Sequence, residues 1–375
     1  MAELSLPQLK DLLENIVTYA KISNASFVET RNNIVGLLDK IGKIVTIDTV
    51  YNIDKLSSFD GEYLSFGKTI EDYFQDLILP SDYDSDGTDA LAPHDPSYRP
   101  VFYSYTIGRK KVATSIRNDN IERAVHFTEQ FVDIVAMQYK RLEDSMAQYR
   151  YGLKKEMIAR LCELCDDAMT QSTTTYSASA SYTVGTFIRS ASSAPIVYGI
   201  VVKAITASAA DTNSWANAVS NGYIVPLDLV TVLDKPIDTS TGEAFVKQVK
   251  ADIEIASDVS EGHSLNGNTL GASEGLVLIV KQGILPALEV DTYAGAFNRD
   301  DVAMPARIIV VNDFGSADDK FYAVLMDARG MRLHNTYNAT RENLNGSGDF
   351  LNVFRHTEDT PYICRNTFVK VYSAS

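Results

Sequence analysis

The sequence predicts an α+β protein in which an extended β-arm precedes a long helix and a layer of mixed helices and strands. β-rich segments with turn-forming residues between them occupy residues 43–117. Apolar residues then recur in steps of three and four over residues 121–164, which is typical of one helix face. Residues 276–280 and 307–311 are apolar runs typical of buried strands, with a helical pattern between them. These three patterns in this order favour the α+β class.

Composition excludes several classes of function. The 375 residues are 45% hydrophobic, which is enough to bury real cores. A formal net charge of −15 has the wrong sign for a protein that neutralises phosphates along a nucleic acid. The chain start lacks a signal-peptide pattern, and the longest apolar run, residues 194–202, ends at Lys203, too short for a membrane span. We therefore expect a soluble protein that matures without export and enters no membrane.

Residues 1–40 predict an N-terminal helical arm. Two capping boxes, Ser5 with Gln8 and Ser26 with Glu29, each open an amphipathic pattern.

An extended β-arm is predicted over residues 41–117. Strands are expected over residues 44–50, 63–70 and 101–107, and the acidic, turn-rich residues 80–96 form an irregular tip. Because a long two-stranded arm cannot bury both of its faces within one small domain, we expect it to need a partner.

The helical pattern of residues 118–170 is too long for a compact sphere. Residues 121–168 would form a straight helix of about 70 Å at about 1.5 Å per residue, whereas a compact chain of this length has a radius of gyration of about 21 Å. We expect both an elongated molecule and a break, with a shorter helix to about Tyr139 and a long helix over residues 142–168.

Residues 171–233 differ sharply in composition from the rest of the chain. They carry only four charged residues and many serines, threonines and alanines, which predicts a β-rich insertion, with disorder as the competing interpretation. In residues 234–375 a capping box at Ser240 and Glu243 opens a helix, and strands over residues 321–326, 331–337 and 367–372 form a returning β-tail.

Motifs that could carry catalysis lack the context that they need. Residues 271–275 match the G-x-S-x-G pattern, but a nucleophile elbow must follow a strand, and this one precedes the strand over residues 276–280. Cys162 and Cys165 lie one helical turn apart without a second ligand pair, so core thiols are the favoured interpretation. We therefore expect no enzyme activity and no cofactor.

An acidic motif in the arm tip resembles half of a calcium loop. Asp82, Asp84 and Asp86 precede Gly87, but the twelfth position, which needs a bidentate glutamate, is Pro93. A solvated acidic loop is favoured over a weak divalent-ion site.

Arg109, Lys110 and Lys111 form the densest basic cluster, at the returning end of the arm. A solvated strand end is one interpretation, and docking to an acidic patch on a neighbouring subunit is the other. We predict these three residues, together with Asp82 and Asp84, as assembly contacts.

Short stretches in a consistent order resemble the major capsid proteins of phi29-like podoviruses and the Hong Kong 97 fold. They are residues 37–45, 64–72, 229–236, 289–298 and 307–314. The resemblance implies that residues 1–40 are the N-terminal arm, residues 41–117 the E-loop and residues 142–168 the spine helix. The remainder would form the peripheral and axial domains, and residues 171–226 depart from the pattern by their length.

The resemblance further implies a structural function. The chain would assemble with itself as pentamers and hexamers into an icosahedral or prolate phage head around double-stranded DNA, without binding that DNA tightly. A separate scaffolding protein and a portal protein would be its partners, and the head would form in the host cytoplasm. Two alternatives remain: an encapsulin-like compartment shell, and a non-viral coiled-coil structural protein motivated by the periodic stripe of residues 121–164.

Overall fold

A computed structural model describes residues 54–65, 69–75, 98–103, 107–117, 128–170, 174–269, 271, 275–284, 306–348 and 350–374. The chain divides into two compact units. The first is drawn from Met1–Ser65, Thr106–Lys155 and Leu333–Thr360, and the second from Phe66–Tyr105, Glu156–Arg332 and Pro361–Ser375. The predicted N-terminal helices, the strand over residues 44–50, the acidic residues Asp82, Asp84 and Asp86, and the helix between residues 281 and 307 lie outside the described residues.

The helices of eight residues or more within the described ranges are α1 (Thr128–Thr170) and α3 (Thr239–Ala256), and the short helix α2 (Trp215–Ser220) lies between them. None of these helices is long and apolar enough to cross a membrane. The strands in the described part of the chain are, in order, β1 (Asp60–Tyr63), β2 (Ile70–Gln75), β3 (Tyr98–Tyr103), β4 (Ile107–Arg117), β5 (Phe187–Arg189), β6 (Tyr198–Val201), β7 (Ile224–Pro226), β8 (Val230–Val232), β9 (Ser260–Ser264), β10 (Gly267–Thr269), β11 (Leu276–Lys281), β12 (Arg307–Val311), β13 (Phe321–Asp327), β14 (Met331–Asn345), β15 (Phe350–Ile363) and β16 (Val369–Ser373).

Helix α1 runs without interruption, so the break predicted between Tyr139 and Leu142 is wrong. The residues at that point, Tyr-Lys-Arg-Leu, include good helix formers and no proline, and nothing in the local sequence ends the helix. Leu142 and Met146, directly after the expected break, are buried. At about 1.5 Å per residue, the 43 residues of α1 extend about 65 Å.

The first unit contains a four-stranded sheet in the order β1-β14-β15-β4. Strand β4 pairs antiparallel with β15, from Arg117 opposite Phe350 to Ile107 opposite Asp359. Side chains of Phe59, Ile116 and Val353 are buried in this unit. The sequence analysis did not predict β15, and it ended β14 at residue 337. Part of the partner that the β-arm was expected to need is therefore this C-terminal hairpin of the same chain.

The arm itself continues as the antiparallel pair β2 and β3, with Ile70 opposite Tyr103 and Gln75 opposite Tyr98. This agrees with a two-stranded arm, although the strand predicted over residues 63–70 is displaced. Strand β1 ends at Tyr63 and β2 begins at Ile70, because each strand pairs in a different sheet.

The second unit is organised on a five-stranded mixed sheet in the order β12-β11-β13-β16-β8. Helix α3 packs its apolar face on this sheet, and Phe245 and Val249 share a core with Leu278 and Leu325. The cap of α3 is Asp238 and not Ser240, since Asp238 Oδ1 accepts from the Thr241 amide at 2.8 Å. The capping box thus begins two residues earlier than predicted.

Residues 174–226 form a small module rather than a disordered segment, and β8 after it joins the edge of the five-stranded sheet. Strands β5, β6 and β7 make an antiparallel sheet. Its core contains Ile188, Val201 and Ile224, with Trp215 packed against them. The low charge of this region reflects a packed β-rich structure.

Candidate assembly site

The basic cluster at the start of β4 is engaged mainly by its own chain. Arg109 Nε lies 2.7 Å from Glu358 Oε2, and the guanidinium sits 4.0 Å above the ring of Tyr337. Lys111 Nζ lies 5.2 Å from the centre of the Phe354 ring. Arg109 and Lys111 therefore hold β4 against the β14–β15 hairpin, and all three residues of the cluster are exposed.

A buried lysine of α1 anchors the segment that leads into the arm. Lys154 is fully buried, and its Nζ lies 2.5 Å from Asp54 Oδ2 and 2.9 Å from Asp60 Oδ1. Arg150, one turn earlier, lies 3.1 Å from Asp60 and 3.4 Å from Asp359. Because a charge buried without a partner is very costly, these pairs fix where the segment crosses the helix.

A bulge in β15 turns one carboxylate toward this network. The register shifts between Thr357 and Asp359, and such bulges re-aim side chains. Asn335 Nδ2 donates to Asp359 Oδ1 at 3.0 Å, and the Thr357 hydroxyl donates to Asp359 Oδ2 at 3.0 Å. Asp359 is therefore well satisfied although it is almost fully buried.

A second ion pair joins α1 to β15. Arg355 Nη1 lies 3.3 Å from Glu143 Oε1, and both side chains are mostly buried. Burial raises the pKa of Glu143, and the nearby Arg355 charge opposes that shift. Together with the Lys154 network, this pair forms a set of ion pairs, here called the charge-stapled base, that links α1 to β15 and to residues 54–60 within the first unit.

This network was not predicted from the sequence, because charged residues on a helix are usually solvated. One signal was available: Lys154 lies four and seven residues before Ile158 and Leu161, both buried, and so belongs to the apolar stripe. Nothing in the sequence around Asp54 or Asp359 marks those residues as its partners.

The motifs set aside on sequence grounds have structural positions. Gly275 directly precedes β11, so the G-x-S-x-G stretch leads into a strand, the reverse of a nucleophile elbow. Cys162 and Cys165 are fully buried on α1, and burial raises the pKa of both thiols. The predicted contacts Asp82 and Asp84 lie outside the described residues.

Comparison with known proteins gives a family match. A sequence model described as Phi29-like phage major capsid protein matches residues 10–195 and 234–368. The stretch between these segments, residues 196–233, contains α2 and strands β6, β7 and β8 of the small module and the sheet edge. A search of curated proteins finds no match.

Solved structures share the fold. The capsid structure of Staphylococcus phage Andhra matches with a TM-score of 0.54 at 10% identity, covering 87% of this chain and 84% of that one. A chain in the structure of the head fiber and inner core protein gp22 of native bacteriophage P68 matches with a TM-score of 0.54 at 11% identity, covering 84% and 83%. These likenesses confirm the α+β, Hong Kong 97-like fold that the sequence predicted.

Proposed function

Because the chain belongs to the Phi29-like phage major capsid protein family, we propose that its copies assemble as pentamers and hexamers into an icosahedral or prolate head around double-stranded DNA. The observation that carries the proposal is the family match on both sides of residues 196–233, which extends over most of the chain. This family is a class of shell subunits, not a class of enzymes.

The charge-stapled base supports a mechanism of assembly by many modest contacts. The Lys154 pairs and the Arg109–Glu358 pair hold residues 54–60 and strand β4 in fixed positions within the first unit. Exposed residues of β4 that are held in this way can contact a neighbour at little further entropic cost. In a closed symmetric shell, weak contacts repeat around the lattice and sum to a stable particle.

The assembly contacts proposed here divide into two groups. We propose that Lys110, an exposed residue of β4, touches a neighbouring copy, as do Asp82 and Asp84 in the acidic stretch of the arm tip. Arg109 and Lys111, which are also exposed, are proposed as contacts that in addition hold β4 to Glu358 and Phe354 of the same chain.

The domain roles follow the family resemblance. Residues 1–40 would be the N-terminal arm, residues 41–117 the E-loop, and α1 the spine helix. Residues 171–233 and 234–375 would supply the peripheral and axial regions. The support for this division is the order of the elements, with the two-stranded β2–β3 arm before α1 and the five-stranded sheet after it.

We propose a separate scaffolding protein and a portal protein as further partners, and assembly in the host cytoplasm before the subunits become part of the virion. The net charge of −15 supports a shell that does not grip the packaged DNA, because a surface that neutralised many phosphates would hold the genome and hinder its release.

Negative-stain microscopy of the subunit, produced with and without the scaffolding protein of the same phage, tests the proposal. We expect closed heads with the scaffold, and free capsomers or aberrant sheets without it. Closed, regular shells from the subunit alone would instead favour an encapsulin-like compartment. If neither preparation contains capsomers, sheets or shells, the proposal fails.

Removal of residues 80–96 tests the tip of the arm. The shortened chain should remain a folded subunit, because the deletion leaves the paired strands β2 and β3 intact, but it should assemble poorly. Normal assembly of the shortened chain would refute the assignment of the tip as a contact between copies.

A further inference from the structure

The second unit contains a polar cavity at the root of the β2–β3 arm. Its volume is about 340 Å³. Its lining comes from β2, the loop after β10, the end of β13 and the segment that joins β15 to β16, and includes Asp72, Asp327, Arg329, Tyr362, Cys364 and Asn366. Ligand sites in proteins begin at about this size.

Asp72 is held in this cavity by two neutral donors. The Tyr362 hydroxyl and the Cys364 thiol each donate to Asp72 Oδ2 at 3.1 Å. Burial is the main cause that raises the pKa of both Tyr362 and Cys364, so both groups remain protonated and neutral at physiological pH. The carboxylate is thus oriented by its neighbours but its charge is not balanced by them.

The cationic side chain in the described lining is committed elsewhere. Arg329 Nη2 lies 2.7 Å from Asp327 Oδ2, and Arg329 Nε lies within 3.3 Å of both oxygens of the same carboxylate. Asp327 is almost fully buried, so Arg329 is required to neutralise its charge. Among the lining residues that the structure describes, Asp327 is thus paired with Arg329, whereas the Asp72 carboxylate accepts from the two neutral donors.

We propose that this cavity is a docking pocket for a cationic side chain, lysine or arginine, of a second copy of the chain. The inference rests on the proposed function, which surrounds every subunit with identical neighbours. Partly buried carboxylates favour cationic partners, and the exposed Lys110 shows that the chain presents such groups outward. The pocket would lock the root of one arm to an adjacent subunit.

Substitution of Asp72 in the full-length subunit, assembled with the scaffolding protein, tests the pocket. Asp72→Asn keeps an oxygen that can accept from Tyr362 and removes only the charge. We expect the subunit concentration needed for head formation to rise about two- to fivefold, the range typical of one ion pair per contact. Asp72→Glu, which keeps the charge, should recover part of the loss.

Asp319→Asn is the matched control, because it removes the same charge from a fully exposed carboxylate. It should leave the assembly threshold unchanged. The unassembled Asp72→Asn subunit should melt at the temperature of the unsubstituted subunit, which separates a lost contact from a misfolded chain. If Asp72→Asn assembles at the unsubstituted threshold, the pocket is not an assembly contact.

Carbodiimide crosslinking of heads grown from a mixture of ¹⁴N- and ¹⁵N-labelled subunits identifies the partner. A crosslink from Asp72 to a lysine in peptides of mixed label supports docking between copies and names the residue. A threshold defect without a crosslink assigns the partner as arginine, which carbodiimide does not couple. A crosslink confined to one chain overturns the proposal. Failure of the unsubstituted subunit to form heads would instead count against the proposed function.

Discussion

The Nζ atom of Lys154 lies 2.5 Å from Oδ2 of Asp54, although Lys154 is fully buried and 100 residues separate the two. Asp60 provides a second carboxylate at 2.9 Å. Because one ammonium group is shared between two carboxylates, the charge-stapled base should tolerate the loss of either carboxylate but not the loss of both.

This relationship predicts a non-additive pair of substitutions. Asp54→Asn or Asp60→Asn alone should lower the free energy of unfolding by under about 1 kcal/mol, because the other carboxylate still neutralises Lys154. The double substitution leaves a buried charge without a countercharge and should cost about 3–5 kcal/mol. Urea unfolding of the unassembled subunit measures these values. Glu163→Gln, in an exposed pair with Arg160, should change stability by under about 1 kcal/mol. Simple additivity would contradict a shared ammonium.

The Arg109–Glu358 pair predicts that substitutions at two adjacent residues change different properties. Arg109→Ala should lower the stability of the subunit, whereas Lys110→Ala should lower head formation. Arg109→Ala removes the partner of a nearly buried carboxylate and the stacking on Tyr337, so it should cost about 1–3 kcal/mol of subunit stability. Lys110→Ala, at the neighbouring exposed position, should leave stability within about 0.5 kcal/mol but reduce head formation. Chemical unfolding and particle yield distinguish the two. Equal loss of stability in both variants would show that Lys110 is also an internal contact.

The sequence predicted the strands that are continuous runs of buried apolar residues, and it did not predict a strand that buries polar and charged residues. Strand β12 coincides with the predicted residues 307–311, and β11 exceeds the predicted residues 276–280 by one residue, because strands buried in a mixed sheet are continuous apolar runs. Strand β15 was missed because it includes Arg355, His356, Thr357, Glu358 and Asp359, which carry no apolar alternation. Their burial is made possible by tertiary hydrogen bonds and ion pairs, which a single sequence does not reveal.

The candidate site was predicted only in part: the basic cluster was found from the sequence, but its partners were not. The basic cluster at Arg109 to Lys111 was identified by charge density alone, but its main partner, Glu358, lies 249 residues away in a strand that the pattern did not predict. The pocket around Asp72 was not predicted, because its lining comes from four separate parts of the chain. Charge density in the sequence therefore identifies a basic cluster, and only the fold shows which of its residues are paired within the chain.

Asp228 predicts a loss of stability in the acid range. The His263 imidazole and the Lys370 ammonium hold the pKa of Asp228 at about 2. Lys370 Nζ lies 2.5 Å from this carboxylate, whereas His263 Nε2 lies 3.6 Å away, beyond hydrogen-bonding distance, so we regard Lys370 as the stronger partner.

The folded pKa of Asp228 is below its usual value of about 3.9, so the contribution of its carboxylate is present above about pH 4 and is lost as pH falls toward 2. Asp228→Asn should therefore lower stability at pH 7 and flatten the decline between about pH 4 and pH 2. Denaturant midpoints across this range measure the slope. The carboxylate is half exposed, so we expect a small effect. An unchanged slope would show that other carboxylates set the acid response.

Gly262 predicts that the small β-rich module and the antiparallel pair β9–β10 unfold together. Its φ of +80° is in the left-handed region, and a Cβ atom built there would lie 2.2 Å from the carbonyl oxygen of Pro226 in β7. Gly262→Ala must therefore strain its own backbone or push β7 away, and we expect a loss of about 1–3 kcal/mol. Gly108→Ala is the control, since a Cβ there meets nothing within 4 Å, and it should be nearly neutral.

Trp215, the sole tryptophan, reports on the module by fluorescence, while circular dichroism follows the whole chain. Because Gly262 of β9 is packed directly against β7, the two signals should share one transition in the unsubstituted second unit and separate in Gly262→Ala. Coincident transitions in Gly262→Ala would mean that the close approach to Pro226 does not couple the module to the β9–β10 pair.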